Sequence, residues 1–214
     1  MKSLITIVFL IATVLILFFK PTWLPFFSNG SAFDSEGNPE VWLFSFPRCG
    51  NPCRYGRKEL AERNVDYSEI DIEKSKDNYK LWKSFNRDQF PLIVIGKHIV
   101  EGYQQANIAA ALAQTYGEIH LKRSEQYYMA RHFHDDGSPR IVMYGTDWCP
   151  YCKKLRDKFS DNNVIFAEIN VEKPVVKKEL MGTLSISSYP ITYVGYKRFE
   201  GSEVYGDIVS AAGY

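Results

Sequence analysis

Residues 140–161 read RIVMYGTDWCPYCKKLRDKFSD: an apolar run, a Cys-x-x-Cys, then a charged stretch. The run at 141–145 has the length and composition of a buried strand, and residues 151–161 are a helical candidate. Pro150 suits the first turn of that helix. The order strand, dithiol, helix matters chemically. A thiolate, not a thiol, attacks disulfides, and a free cysteine with a pKa of about 8.5 is mostly protonated at neutral pH. A cysteine at a helix N-terminus meets unpaired N–H groups and the positive end of the dipole, which favour the anion. Cys149 holds that position, and Cys152 lies one turn inside. Cys149 is therefore expected to attack and Cys152 to resolve the mixed disulfide. Lys153, Lys154 and Arg156 add positive charge nearby.

Working outward, the stretch has a partner upstream. SEIDIEK at 68–74 matches AEINVEK at 167–173, FPLIVIG at 90–96 matches YPITYVG at 189–195, and Cys53 matches Cys152, all 99 positions apart. Glu101-Gly102 recurs as Glu200-Gly201 at the same offset. Ahead of the cysteines the offset is 100: VWLFS at 41–45 matches IVMYG at 141–145, and Cys49 matches Cys149. The first copy thus carries one extra residue between its cysteines, CGNPC against CPYC.

Each copy reads as strand (41–46 or 140–145), helix (53–63 or 151–161), strand (67–72 or 164–171), helix (75–87 or 174–184) and strand (91–95 or 190–194). A turn at Gly96 or Gly195 leads to a fourth strand, and residues 105–116 or 202–212 form a closing helix. That order implies an α/β fold, a four-stranded mixed sheet with helices on both faces, made twice. The expected domains are 41–116 and 139–214. Residues 28–40 (SNGSAFDSEGNPE) read as a flexible linker, and residues 117–138 as a charged, aromatic second linker with some helix.

Residues 1–27 differ in kind. Residues 3–19 (SLITIVFLIATVLILFF) carry no charge and are bounded by Lys2 and Lys20. At ~1.5 Å per residue they reach about 25 Å, the short limit for crossing a bilayer. A core helix would show a polar face. A cleaved signal would have a shorter apolar region and a small-x-small site after it. The expectation is a retained single-pass anchor with Trp23 at the interface, and the weak positive-inside bias places the body on the extracytoplasmic side.

Composition bounds the remainder. The 214 residues are 45% hydrophobic and 24% charged with a net charge of +1, which excludes global disorder and gives no basic surface for nucleic acid. The four cysteines fall in two short pairs, unlike a disulfide-stapled scaffold.

TDWCPYC at 146–152 resembles the glutaredoxin active site, and Trp148 resembles the residue that precedes the dithiol in thioredoxin. Tyr189-Pro190 and Phe90-Pro91 look like the cis-proline element of that superfamily. The resemblance implies two tandem thioredoxin-like domains of glutaredoxin type and a thiol–disulfide oxidoreductase with catalytic Cys149, Cys152, Cys49 and Cys53. It implies substrate contacts at Trp148, Tyr151, Tyr189, Pro190, Phe90 and Pro91. Substrates would be protein disulfides or glutathione mixed disulfides. No cofactor is implied, and glutathione is a candidate co-substrate. The glutathione contacts of that family are altered here: Thr146-Asp147 replaces a basic residue, Ser188-Tyr189 replaces Thr-Val, and Glu200-Gly201-Ser202-Glu203 replaces Gly-Gly-x-Asp. Arg48 is placed to support a Cys49 thiolate.

Competing readings remain. One is a membrane-tethered binding module with structural disulfides. Another is a metal or Fe–S protein, through a Cys₄ site or a cluster shared between subunits. His132 and His134 beside Asp135 and Asp136 read as surface residues of the linker rather than a metal site.

Overall fold

The computed structural model describes residues 30–173 and 177–214. The anchor expected at 1–27 lies outside them. Among the described residues no helix is long and apolar enough to cross a membrane.

The first copy contains β1 (Val41–Ser45), α1 (Asn51–Glu62), β2 (Ser68–Asp71), α2 (Lys76–Ser84), β3 (Leu92–Ile95), β4 (His98–Glu101) and α3 (Gln105–Tyr116). A connecting helix α4 (Arg123–Met129) follows. The second copy contains β5 (Ile141–Gly145), α5 (Pro150–Asp161), β6 (Ala167–Asn170), α6 (Lys177–Thr183), β7 (Ile191–Val194), β8 (Lys197–Glu200) and α7 (Tyr205–Ala212). The sheets have the same order, β2-β1-β3-β4 and β6-β5-β7-β8. In each, the first two strands pair in parallel and the remaining pairings are antiparallel. The α/β class and the four-stranded mixed sheets expected from the repeat are present.

The central strands explain their own burial. LIVI in β3 and ITYV in β7 are buried at every position, because helices or connecting chain cover both faces. On one face of the second sheet, α5 and α7 pack Leu155, Phe159 and Ile208 onto Ile141 and Met143. On the other, Leu180 of α6 and Leu184 in the turn after it reach Val142, Tyr144 and Tyr193.

That second face also receives residues from the first copy. Ala109 and Ala113 of α3, with Leu121, Tyr128 and Met129, belong to the same cluster. The opposite side of α3 supplies Ile108, Ala111 and Leu112 to the first copy's own core. The run of alanines in QANIAAALAQTY is thereby explained: a helix buried on both sides needs small residues so that two sheets can approach it. Polar ties cross the same junction. Tyr196 Oη donates to Glu118 at 2.8 Å, and the Arg198 guanidinium donates to Asn107 at 3.1 Å.

Both expected linkers differ from their reading. Residues 30–40 form a closed turn, with a bridge between Phe33 and Pro39 and with Ala32 N–H donating to Gly96 O at 2.7 Å. Asp34 holds the turn by accepting the N–H groups of Glu36 and Asn38, each at 2.8 Å. The same bridge recurs at Phe133 and Pro139. There Phe133 and Pro139 lie 3.2 and 3.3 Å from where a Cβ on Gly195 would sit, which with φ +55° accounts for the glycine at that hairpin. The repeat therefore begins at Phe33 and Phe133, before the expected boundaries at 41 and 139.

Residues 117–132 are packed as well. Arg63 at the end of α1 is fully buried between Glu59 and Glu125. Its guanidinium donates to both Glu125 oxygens at 2.7 and 2.6 Å and to Glu59 at 2.9 Å. Lys122 Nζ donates to Glu59 at 2.8 Å. His132, expected at the surface, is buried, stacked on Tyr193 at 4.2 Å and hydrogen-bonded to Tyr144 Oη at 2.8 Å.

Candidate active site

β5 delivers the chain to Cys149, which is the N-cap of α5. Its sulfur accepts the N–H of Cys152 at 3.1 Å, so an orphan donor of the helix N-terminus is aimed at the sulfur expected to attack. Cys149 and Cys152 are joined, as are Cys49 and Cys53, with Cα separations of 5.2 and 5.8 Å. Cys149 is 4% exposed and Cys152 fully buried, so what exposure the pair has belongs to Cys149.

Access is framed by aromatics. Trp148 is 66% and Tyr151 61% exposed, although both are large and apolar in body. The Trp148 ring meets Tyr189 edge-on at 6.1 Å, and its indole N–H donates to Glu172 at 3.1 Å. Tyr189 also packs against the cluster containing Cys149 and Cys152. Pro190, cis as expected, is buried, and its carbonyl accepts Gly201 N–H at 2.9 Å. Trp148, Cys149, Cys152 and Tyr189 are thus brought together, and Tyr151 stands at the opening turn of α5.

The basic residues expected to support the thiolate are engaged elsewhere. Lys153 pairs with Asp157 at 2.7 Å, Lys154 with Glu203 at 2.6 Å and Arg156 with Glu168 at 3.4 Å. Asp147 pairs with Lys173 at 3.4 Å. The polar group that meets the Cys149 sulfur is instead the Cys152 N–H at the helix N-terminus.

The first copy is built differently at the decisive point. The extra residue makes Gly50 the N-cap of α1, with φ 70° and no side-chain capping bond. Cys49 is displaced from the capping position its counterpart holds. Arg48 occupies the place of Trp148, but its side chain is 85% exposed and sits 3.8 Å from Glu73. Cys53 is fully buried. Pro91 is also cis, and its Cγ lies 3.0 Å from where a Cβ on Gly56 would be, which sets it against the dithiol helix. Phe90 packs on Phe46 at 4.9 Å and Trp82 at 5.1 Å, so this rim is folded inward.

One residue beside the site was passed over in the sequence. Glu168 of β6 and Cys152 both border Gly145, and in the sequence Glu168 and its counterpart Glu69 show only as a mark of the repeat.

The family model described as Glutaredoxin matches residues 141–199. A glutaredoxin of Pseudomonas aeruginosa is 30% identical over 66 residues, covering 30% of this chain and 79% of that protein. A Clostridium pasteurianum protein, described as an uncharacterized glutaredoxin-like 8.6 kDa protein in the rubredoxin operon, is 35% identical over 48 residues, or 22% of this chain and 64% of that one. Among solved structures, a glutaredoxin from Archaeoglobus fulgidus is 27% identical with a TM-score of 0.30, covering 35% of this chain and 89% of that one.

Proposed function

Since this chain belongs to the glutaredoxin family, we propose that it is a thiol–disulfide oxidoreductase whose exchange chemistry runs through Cys149 and Cys152. The observation that carries the reading is the 3.1 Å bond from Cys152 N–H to Cys149 Sγ at the start of α5. An N–H donor and the dipole end stabilise a thiolate, and the buried Cys152 stands behind it to close the disulfide. The thiolate attacks one sulfur of the substrate and expels the other as a thiol. Cys152 then attacks Cys149 and releases the second thiol, so two electrons pass from the dithiol to the substrate. Cys49 and Cys53 form a second dithiol of lower nucleophilicity, because Gly50 takes the capping position.

The substrate favoured is a protein disulfide. The exposed rings of Trp148 and Tyr151 suit a polypeptide. Lys173 and Lys154 are held by Asp147 and Glu203, so no unpaired cation stands at 146–147 to receive a glutathione carboxylate. Residues 3–19 would tether the protein to a membrane with its body on the extracytoplasmic side, a topology that a reporter fused after residue 214 would read. The activity is tested by insulin-disulfide reduction under dithiothreitol. Cys149→Ser should lower the rate by about a hundredfold or more. No turnover by the unaltered protein, or unchanged turnover in Cys149→Ser, would refute the assignment.

A further inference from the structure

We propose that Glu168 is the proton acceptor for Cys152 in the resolving step, a role that rests on the dithiol exchange assigned above. Cys152 has no exposed surface, so its thiol proton needs a local destination as its sulfur attacks. The gap beside it is defined by Gly145. A Cβ built on that residue would lie 2.8 Å from Cys152 Sγ and 3.5 Å from Glu168 Oε1. Sulfur and carboxylate therefore flank one small space that any larger residue at 145 would fill. The Glu168 side chain is 25% exposed, so the same carboxylate touches solvent and can pass the proton on.

Three charged groups face Glu168 from the surrounding elements. Arg156 comes from α5, Asp147 from the loop before it, and Lys173 from the turn after β6. Burial raises the Glu168 carboxyl above its ordinary value; Arg156 opposes this, Asp147 adds to it and Lys173 opposes it. A raised carboxyl is better matched to a thiol than an ordinary surface glutamate.

The first copy supplies the contrast. Glu69, the counterpart of Glu168, accepts two bonds from Arg57 Nε at 2.9 Å, one from Arg57 Nη2 at 2.6 Å and one from Ser45 Oγ at 2.5 Å. These bonds hold its carboxyl below the ordinary value. Ser45 stands where the second copy has Gly145. Glu69 is saturated by fixed donors, whereas Glu168 has a looser ion pair with Arg156 at 3.4 Å and its Oε1 borders the space beside the Cys152 sulfur.

The step balances. The Cys152 proton moves to Glu168 as the Cys152 sulfur attacks Cys149 Sγ. The Cys149–Cys152 bond forms, the bond from Cys149 to substrate breaks, and the departing thiolate takes a proton from water. Glu168 then returns its proton to solvent.

The test is single-turnover reaction of the reduced full chain with a chromogenic aryl disulfide, which releases one chromophore on attack by Cys149 and a second on resolution. In Glu168→Gln the first release should stay within about twofold, while the second slows by about a hundredfold at neutral pH. The two proteins should converge in alkali, where Cys152 ionises unaided. Glu168→Asp should recover part of the rate, and it serves as the second variant should the glutamine form not fold. A paired measurement separates chemistry from field effects. Glu168→Gln should speed alkylation of Cys152 in the Cys149→Ser background, because a negative charge is removed, yet slow resolution when Cys149 is present. An unchanged or faster second release overturns the proposal and leaves the exchange reading intact. Equal slowing of both releases marks a structural role and overturns it too. No chromophore release by the unaltered protein overturns the exchange reading and this role with it.

Discussion

His132 makes a quantitative prediction about acid stability. Its imidazole is sealed between Tyr193 and Tyr144, and burial, with Arg140 and Arg131 adding repulsion, pushes its pKa from 6.5 down to about 3. In the unfolded chain the imidazole titrates ordinarily. Between pH 7 and pH 5 the unfolded state therefore takes up a proton that the folded state refuses, so stability falls as pH falls. Proton linkage sets this loss at about 2 kcal/mol over the interval. Because pH 5 lies well above the folded value, the unfolded imidazole alone fixes the magnitude. The perturbation is His132→Gln, which keeps a polar partner for Tyr144 and removes the titration. Urea unfolding at the two pH values gives both differences. The parent should lose about 2 kcal/mol more than the variant. His98, whose pKa is also lowered, chiefly by burial, contributes equally to both proteins and cancels in the comparison. Equal losses in parent and variant would refute the reasoning, since they would mean that His132 is hydrated in the folded state.

Three more outcomes follow from the packing. Arg63→Ala leaves Glu59 and Glu125 without their buried counter-charge and should cost about 3–5 kcal/mol, measured by urea denaturation at neutral pH. Gly145→Ala puts a methyl 2.8 Å from Cys152 Sγ and should destabilise the oxidised protein by about 1–3 kcal/mol, seen as a lower Tm. Trp148→Ala removes an exposed ring beside Cys149 and should raise KM for a polypeptide disulfide by about tenfold while leaving a small aryl disulfide nearly unaffected, read from steady-state kinetics.

The repeat made most of the fold legible. Pro91 and Pro190, Gly96 and Gly195, and the paired cysteines are local signals, and each fixed an element near the place the structure has it. The turns at 33–39 and 133–139 carried the same kind of signal: Phe33 and Phe133, Gly37 and Gly137, and Pro39 and Pro139 recur 100 positions apart. Their polar composition reads as linker and outweighs that spacing. Other features depend on contacts far apart in the chain. Arg63 and Glu125 each look like solvated helix residues, and only their meeting across 62 positions buries them. The charges beside CPYC were legible as residues but not as pairs, since Glu203 reaches Lys154 from 49 positions away. Glu168 was visible, but its relation to Cys152 required knowing that Gly145 leaves a gap.

The shared helix α3 makes the two copies inseparable in a practical sense. A protease that cut between them, or a gene fragment encoding residues 139–214 alone, would strip Ala109, Ala113, Tyr128 and Met129 from one face of the second sheet. Tyr144 and Tyr193 would then meet water across a bare apolar surface, and such a fragment is expected to precipitate or pair with itself. The duplication has ceased to be two modules on a string, because one helix closes the cores of both halves.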